Sequence, residues 1–252
     1  MATVKVVVLG GTGLIGSEVV ALLRERGHEA IAASPSTGVD AAAGVGLDEA
    51  FVGADVVVDV TNSRDFSEAA VIDFFTRGTN NALAAEQRAG VGHHVILSIV
   101  GVDRDAEAKG YLAGKVAQER LVAAGTVPFT IVRATQFFEF LSGILESSTV
   151  DGQVRVAPVL LQPVAAEAVS RLIADAALAP ASGVIELAGP ERAPLAEFLE
   201  RVLADADVPL PVIVDDSVGY FGRAVEQTSL VPVGDAVIDP LTFDRWKAAQ
   251  PH

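Results

Sequence analysis

Cysteine is absent from the 252-residue chain, which excludes a disulfide framework and any thiolate metal site. Histidine is scarce, and His28, His93, His94 and His252 form no ligand spacing with neighbouring carboxylates, so no metal site is expected. Basic residues are few: 18 Lys and Arg stand against 33 Asp and Glu, for a formal net charge of −15. So acidic a chain repels phosphate backbones, and a nucleic-acid partner is not expected. Long apolar runs are missing too. Stretches such as Val6–Leu9 and Asp55–Val60 are strand-sized, well below the roughly 20 residues of a membrane helix. The N-terminus shows no basic segment followed by a long apolar one, so neither a secretory signal nor a membrane partner is expected, and the expected location is cytoplasmic. There is no internal repeat and no low-complexity segment.

What is present is hydrophobic material, 50% of the residues, enough for one sizeable core or one large domain with a small appendage. Over the first half, strand patterns alternate with helix patterns. Strands are expected at Val4–Leu9, Glu29–Ala33, Asp55–Val60, His94–Ser98 and Phe129–Val132. Helices are expected at Leu14–Arg26, at Leu47–Val52, from Glu68 to about Ala89 behind a Ser67 cap with a break near Gly78, and at Tyr111–Ala124. Strands separated by helices give a parallel sheet covered on both faces, and right-handed crossovers make it doubly wound. The fold expected is therefore α/β and Rossmann-like, one domain over residues 1–252. Its cofactor-binding part takes about 1–135, and a small, mainly C-terminal substrate lobe is drawn from about 136–252. In that lobe helices are expected at Gln136–Glu146, Ala165–Ala177, Pro194–Leu203 and near Leu241–Ala249, with a short strand at Val184–Leu187.

The glycines concentrate where the first strand meets the first helix, in "VVVLGGTGLIG". Gly11-x-Gly13-x-x-Gly16 fits the dinucleotide fingerprint, and Gly10-x-x-Gly13-x-x-Gly16 its wider-spaced variant. One glycine serves the tight turn, one lets the backbone approach a pyrophosphate, and one allows close helix–strand packing. The helix N-terminus offers free N–H groups to the phosphates. Gly10, Gly11, Thr12, Gly13, Leu14, Ile15 and Gly16 are therefore the expected cofactor loop. A site preferring NAD carries Asp or Glu at the end of the second strand. Here "AIAASPST" offers Ser34, Ser36 and Thr37 and no acid, which favours NADP(H) over NAD(H). Thr61, Asn62 and Ser63 follow the third strand at the carboxyl edge of the sheet, where ligands bind, and are candidates for the adenine or ribose.

A second constellation is Ser98, Tyr111 and Lys115. Tyr111 and Lys115 are four residues apart on one helical face. A nearby ammonium favours phenolate over phenol and is expected to lower the tyrosine pKa. Such a tyrosine can give a proton to a carbonyl oxygen as hydride arrives, and a serine hydroxyl can hydrogen-bond the same oxygen.

With "GGTGLIG", Ser98 and "YLAGK" in this order, and thirteen residues from Ser98 to Tyr111, the chain resembles a short-chain dehydrogenase/reductase. Within that superfamily it is most similar to the atypical, NmrA-like or NAD(P)H-binding branch. "FTIVRATQFFEF", "QPVAAEAV" and "IELAGPE" carry that second likeness. The resemblance implies that Ser98 orients a substrate carbonyl, that Tyr111 is the acid/base, and that Lys115 tunes Tyr111 and holds the nicotinamide ribose. It places Gln136, Phe137 and Phe138 where relatives close the nicotinamide pocket, as candidate substrate contacts. Asn81 matches a helix position where many relatives carry asparagine, with packing against the strand an equal reading. Many members of the branch have lost the tyrosine or lysine and act as redox sensors, whereas this chain keeps both. The expectation is an NADP(H)-dependent oxidoreductase reducing a small organic carbonyl or quinone, as a monomer or homodimer. A non-catalytic NAD(P)-sensing protein and a cofactor-retaining isomerase or epimerase are the alternatives.

Overall fold

A computed structural model describes residues 2–104, 109–204, 210–221 and 223–250; His252 lies outside them. The elements, in chain order, are β1 (Lys5–Leu9), α1 (Leu14–Glu25), β2 (Glu29–Ala33), α2 (Leu47–Ala50), β3 (Val56–Asp59), α3 (Glu68–Ala89), β4 (His93–Ile99), α4 (Tyr111–Ala124) and β5 (Phe129–Ala134). There follow α5 (Leu141–Ser147), β6 (Thr149–Val150), β7 (Gln153–Val156), β8 (Leu160–Leu161), α6 (Ala166–Leu178), β9 (Gly183–Ala188), β10 (Ala193–Pro194), α7 (Leu195–Leu203), β11 (Val212–Val214), β12 (Val237–Ile238) and α8 (Phe243–Ala248).

Seven strands form one parallel sheet in the order β12-β9-β5-β4-β3-β1-β2. The central strands are buried on both faces, so they read as unbroken valine runs rather than alternating ones; Val6, Val7, Val8, Val57 and Val58 are fully buried. The register pairs Val7 with Ile31 on one side and with Val57 on the other. The chain leaves β1 to one side for β2 and returns to the other side for β3. This reversal of strand order is where an open α/β sheet binds ligands, outside the carboxyl ends of its strands. Both the glycine loop after β1 and the Thr61–Ser63 loop after β3 lie there.

The chain divides into two compact units, Met1–Arg133 with Glu167–Ile185, and Ala134–Ala166 with Glu186–His252. The first is built on the sheet and holds a core of Val7, Leu9, Leu47, Phe51, Val57 and Ala82 among others. The second is cored by Phe138, Leu141, Val154, Val156, Phe198, Leu199 and Phe243. It also carries a three-stranded sheet, β11-β7-β6, and a two-stranded one, β10-β8.

Several local expectations are corrected. No break occurs at Gly78: α3 runs unbroken for 22 residues. The glycine is buried, and a Cβ there would stand 3.8–3.9 Å from Ala41 and Ala42, at ordinary contact distance, so the helix passes through it without strain. Tertiary packing overrides the weak helix propensity of a single glycine. The helix expected at Gln136–Glu146 divides into a 3₁₀ turn at Phe138–Phe140 and α5. The short strands of the second unit were not expected, because pairs of two to four residues leave no readable period. Among the described residues no helix is long and apolar enough to cross a membrane.

Candidate active site

The glycine loop is shaped by contacts that admit no side chain. Gly10 has φ +78, and a Cβ there would lie 2.8 Å from the Val60 carbonyl oxygen; L-residues rarely adopt that region. At Gly11 a Cβ would meet Ala32 Cα and the Val8 carbonyl oxygen, both at 2.7 Å, and at Gly16 it would fall onto the Gly10 carbonyl. Gly13 caps α1, and the first turn of that helix carries no acid. The first-turn N–H groups of Leu14, Ile15 and Gly16 have no carbonyl to bond within the helix. A bare, glycine-lined backbone ending in free N–H groups fits a pyrophosphate, while Thr12 and Leu14 are exposed beside it.

At the end of β2 there is no carboxylate. The hydroxyls of Ser34 and Ser36 are 2.8 Å apart. Thr37 Oγ1 accepts from the Ser34 N–H at 2.8 Å and so ties the turn together. Asp40, the next acid, accepts from the Ala43 N–H within its own loop. After β3, Thr61 bonds through both its N–H and its hydroxyl to Asp59 Oδ1, at 2.9 and 2.6 Å. The Ser63 hydroxyl donates to the Asp65 carbonyl at 2.7 Å. Asn62 is exposed.

Ser98, Tyr111 and Lys115 all belong to the first unit. Ser98 lies near the carboxyl end of β4, 3% exposed, and its hydroxyl has no hydrogen-bond partner. Lys115 is 3% exposed and donates to the carbonyl of Leu97, the peptide that precedes Ser98, at 2.6 Å. It also donates to Gln118 Oε1, and its ammonium stands 4.4 Å from the centre of the Phe75 ring. Tyr111 opens α4, and its hydroxyl donates to Asn62 Oδ1 at 2.9 Å. Its ring meets Phe75 edge-on at 5.9 Å and Phe66 at 5.7 Å. These positions depend on Gly114, where a Cβ would be 2.7 Å from Phe75 Cδ2 and 2.9 Å from the Val71 carbonyl. The glycine in "YLAGK" lets α4 lie close against α3.

The electrostatics differ from expectation at Tyr111. Its pKa is raised, by burial first and then by the Asp59 carboxylate, and the phenol holds its proton through the neutral range. Lys115 is pushed down to about 8 by burial, with Asp59 and Glu119 opposing. The ammonium is directed at Leu97 and Gln118 rather than at the phenol, so it does not lower the tyrosine as expected.

The remaining candidates occupy other settings. Asn81 Nδ2 donates to the Ala41 carbonyl at 2.8 Å, so its amide holds the loop before α2. Gln136, Phe137 and Phe138 belong to the second unit. Phe138, expected as a substrate wall, is instead a core side chain, 2% exposed and packed on Phe243 and Trp246 at 5.4 and 5.5 Å. Phe137 stacks on Phe140, and Gln136 Oε1 is buried without a partner.

Sequence reasoning missed Asp59, Gln118 and Phe66. Gln118 was legible as the residue three after Lys115 and seven after Tyr111, on the same helical face. Asp59 was legible as a lone carboxylate inside "VVVDV". Phe66, in an irregular loop, gave no periodic signal.

Comparison with known proteins bears on the fold and on the cofactor. Residues 10–177, more than half of the chain, match the family model described as NAD(P)H-binding. No curated protein matches the chain. Among solved structures, a hypothetical dTDP-4-dehydrorhamnose reductase from Sulfolobus tokodaii superposes with a TM-score of 0.67 at 18% identity, over 96% of this chain and 98% of that one. The dTDP-4-dehydrorhamnose reductase of Bacillus anthracis, in complex with NADP, gives 0.66 at 14% identity over 90% of each chain. A short-chain dehydrogenase/reductase superfamily protein from Agrobacterium tumefaciens with bound NAD gives 0.65 at 19% identity, over 97% of this chain and 90% of that one. Glycine loop, parallel sheet and family match together place this chain in the NAD(P)H-binding family, on the Rossmann-like fold it shares with the short-chain dehydrogenase/reductases.

Proposed function

We propose that the protein is a cytoplasmic, NADP(H)-dependent oxidoreductase that reduces a small apolar carbonyl or quinone, with Tyr111 as the proton donor, acting as a monomer or homodimer. The observation that carries this reading is the buried, unpartnered Ser98 hydroxyl, next to the peptide on which Lys115 is fixed. A buried hydroxyl without a partner costs stability, and a substrate carbonyl oxygen is the acceptor it lacks.

The loop from Gly10 to Gly16 would hold the pyrophosphate, and Thr61, Asn62 and Ser63 would face the adenine or ribose. When bound, the nicotinamide supplies the hydride. Tyr111, kept protonated by burial and by Asp59, exchanges its Asn62 acceptor for the carbonyl oxygen and gives up its proton there. Ser98 donates a hydrogen bond to the same oxygen, and Lys115 supplies positive charge beside it. A proton-loaded tyrosine suits the reductive direction. Phe66, 61% exposed with its ring on Tyr111, offers an apolar face to the substrate. The absence of an acid at Ser34–Thr37 supports NADP(H).

The structural neighbours named for dTDP-sugars raise a nucleotide-sugar substrate as a question. In the second unit Arg155, Arg192 and Arg201 are each engaged internally, with Asp215, Gln162 and Glu191 respectively, which favours a neutral substrate. The test is a fluorescence titration with NADPH and with NADH, followed by a screen of carbonyls and quinones. Tighter binding of NADPH with consumption of a carbonyl or quinone is expected. Equal or reversed affinities would remove the NADP preference, and binding without turnover of any carbonyl would leave a sensor. Tightly held cofactor released only on denaturation would favour an isomerase or epimerase.

A further inference from the structure

We propose that Asp59 and Gln118 are positioning residues for Lys115: the carboxylate ending β3, acting through the Gln118 amide, fixes the ammonium beside Ser98 and sets the pH range in which the site works. The inference rests on the reading of Lys115 as part of the reductase site.

Asp59 is 2% exposed. Its Oδ1 accepts from Thr61 twice, and its Oδ2 accepts from Gln118 Nε2 at 3.1 Å. Gln118, 1% exposed, accepts from Lys115 through Oε1. The chemistry admits one orientation. An ammonium only donates, a carboxylate only accepts, and an amide does both. The amide oxygen therefore faces Lys115 and its nitrogen faces Asp59, so the carboxylate is coupled to the ammonium across a single side chain. An uncompensated buried ammonium would shed its proton.

The groups around Lys115 come from four elements. Its own helix supplies Tyr111, Gln118 and Glu119. β3 supplies Asp59, β4 the Leu97 carbonyl, and α3 the Phe75 ring. Two carboxylates support its charge, Asp59 and Glu119. Glu119 is already claimed by Arg133, through bonds of 3.0 and 2.6 Å. Asp59 has no arginine on it among the described residues, and Gln118 joins it to Lys115. The arrangement holds the ammonium against the peptide before Ser98 and keeps it protonated near neutrality.

The experiment is carbon NMR of the full chain labelled at lysine Cε. The sequence has four lysines, Lys5, Lys109, Lys115 and Lys247, and a Lys115→Met sample identifies the resonance of interest. In the wild type that resonance should titrate near 8. Asp59→Asn should move its midpoint down by a unit or more, and Gln118→Leu should move it in the same direction. The alkaline limb of kcat/KM for carbonyl reduction should move to lower pH with it. An unmoved Lys115 midpoint in a folded Asp59→Asn protein would overturn the proposal. Should that variant fail to fold, the Gln118→Leu midpoint decides in the same way. The titration needs no turnover: a shifted midpoint in a protein that reduces nothing would sustain the coupling and sink the reductase reading alone.

Discussion

At the scale of single residues, the sheet and α4 place Ser98, Tyr111 and Lys115 and leave only the Ser98 hydroxyl among them without a hydrogen-bond partner. Tyr111 is held by one neutral acceptor, Asn62, and its ring by two phenylalanines. Removing the hydroxyl alone leaves that packing in place. Tyr111→Phe should therefore lower turnover by about 10²–10⁴-fold, the usual worth of a positioned proton donor, with NADPH affinity unchanged. Steady-state rates and a cofactor titration on the same preparation check it, and undiminished turnover would remove Tyr111 from the mechanism. The residue types of the site were readable from "GGTGLIG", Ser98 and "YLAGK". Their electrical state was not, because the sequence separates Asp59 from Tyr111 and Lys115 by more than fifty positions and only the β3–α4 contact brings it to bear.

Among the elements, two close approaches control the site. α4 meets α3 at Gly114, and α1 meets the β1 turn at Gly16. Gly114→Ala would press a methyl group onto Phe75 and the Val71 carbonyl, and overpacking of this kind costs about 1–3 kcal/mol. Urea denaturation should show that loss, together with a drop in turnover as Tyr111 and Lys115 shift with the helix. Gly16→Ala would strike the Gly10 carbonyl and distort the phosphate loop. NADPH binding should fall at least tenfold, as read by fluorescence titration, and retained affinity would show that the loop is not the cradle. The first-half elements were legible because strands buried on both faces leave valine runs and the helices α1 and α3 leave a 3.6-residue period. In the second unit the helices expected at Pro194–Leu203 and near Leu241–Ala249 were legible too and are α7 and α8, but its small sheets were not. Its two- to four-residue strands pair with partners distant in sequence, as Val212 does with Val154, and so short a run carries no periodicity of its own. Phe138 misled for a related reason: an aromatic after β5 looks the same in sequence whether it faces a ligand or, as here, Phe243.

For the molecule as a whole, stability should depend on pH through a buried pair that the mechanism does not use. His94 Nδ1 and Glu86 Oε1 are 2.6 Å apart, with both side chains fully buried. Burial alone would push His94 down, but Glu86, with help from Asp59, raises it above its ordinary value. A histidine raised in the folded state contributes stability that is fully present below its unfolded value, near 6.5. That contribution is lost as pH rises through the folded value. Glu86→Gln should therefore lower Tm more at pH 6 than at pH 9; an equal loss at both would show that the pair contributes no proton linkage. Ser98 has the opposite character. Its orphaned hydroxyl carries a desolvation penalty of about 1–3 kcal/mol, and alanine in its place would relieve it. Ser98→Ala should therefore yield a protein that melts later than the wild type and turns over about 10²–10³-fold more slowly, a trade of robustness for reactivity confined to one oxygen atom.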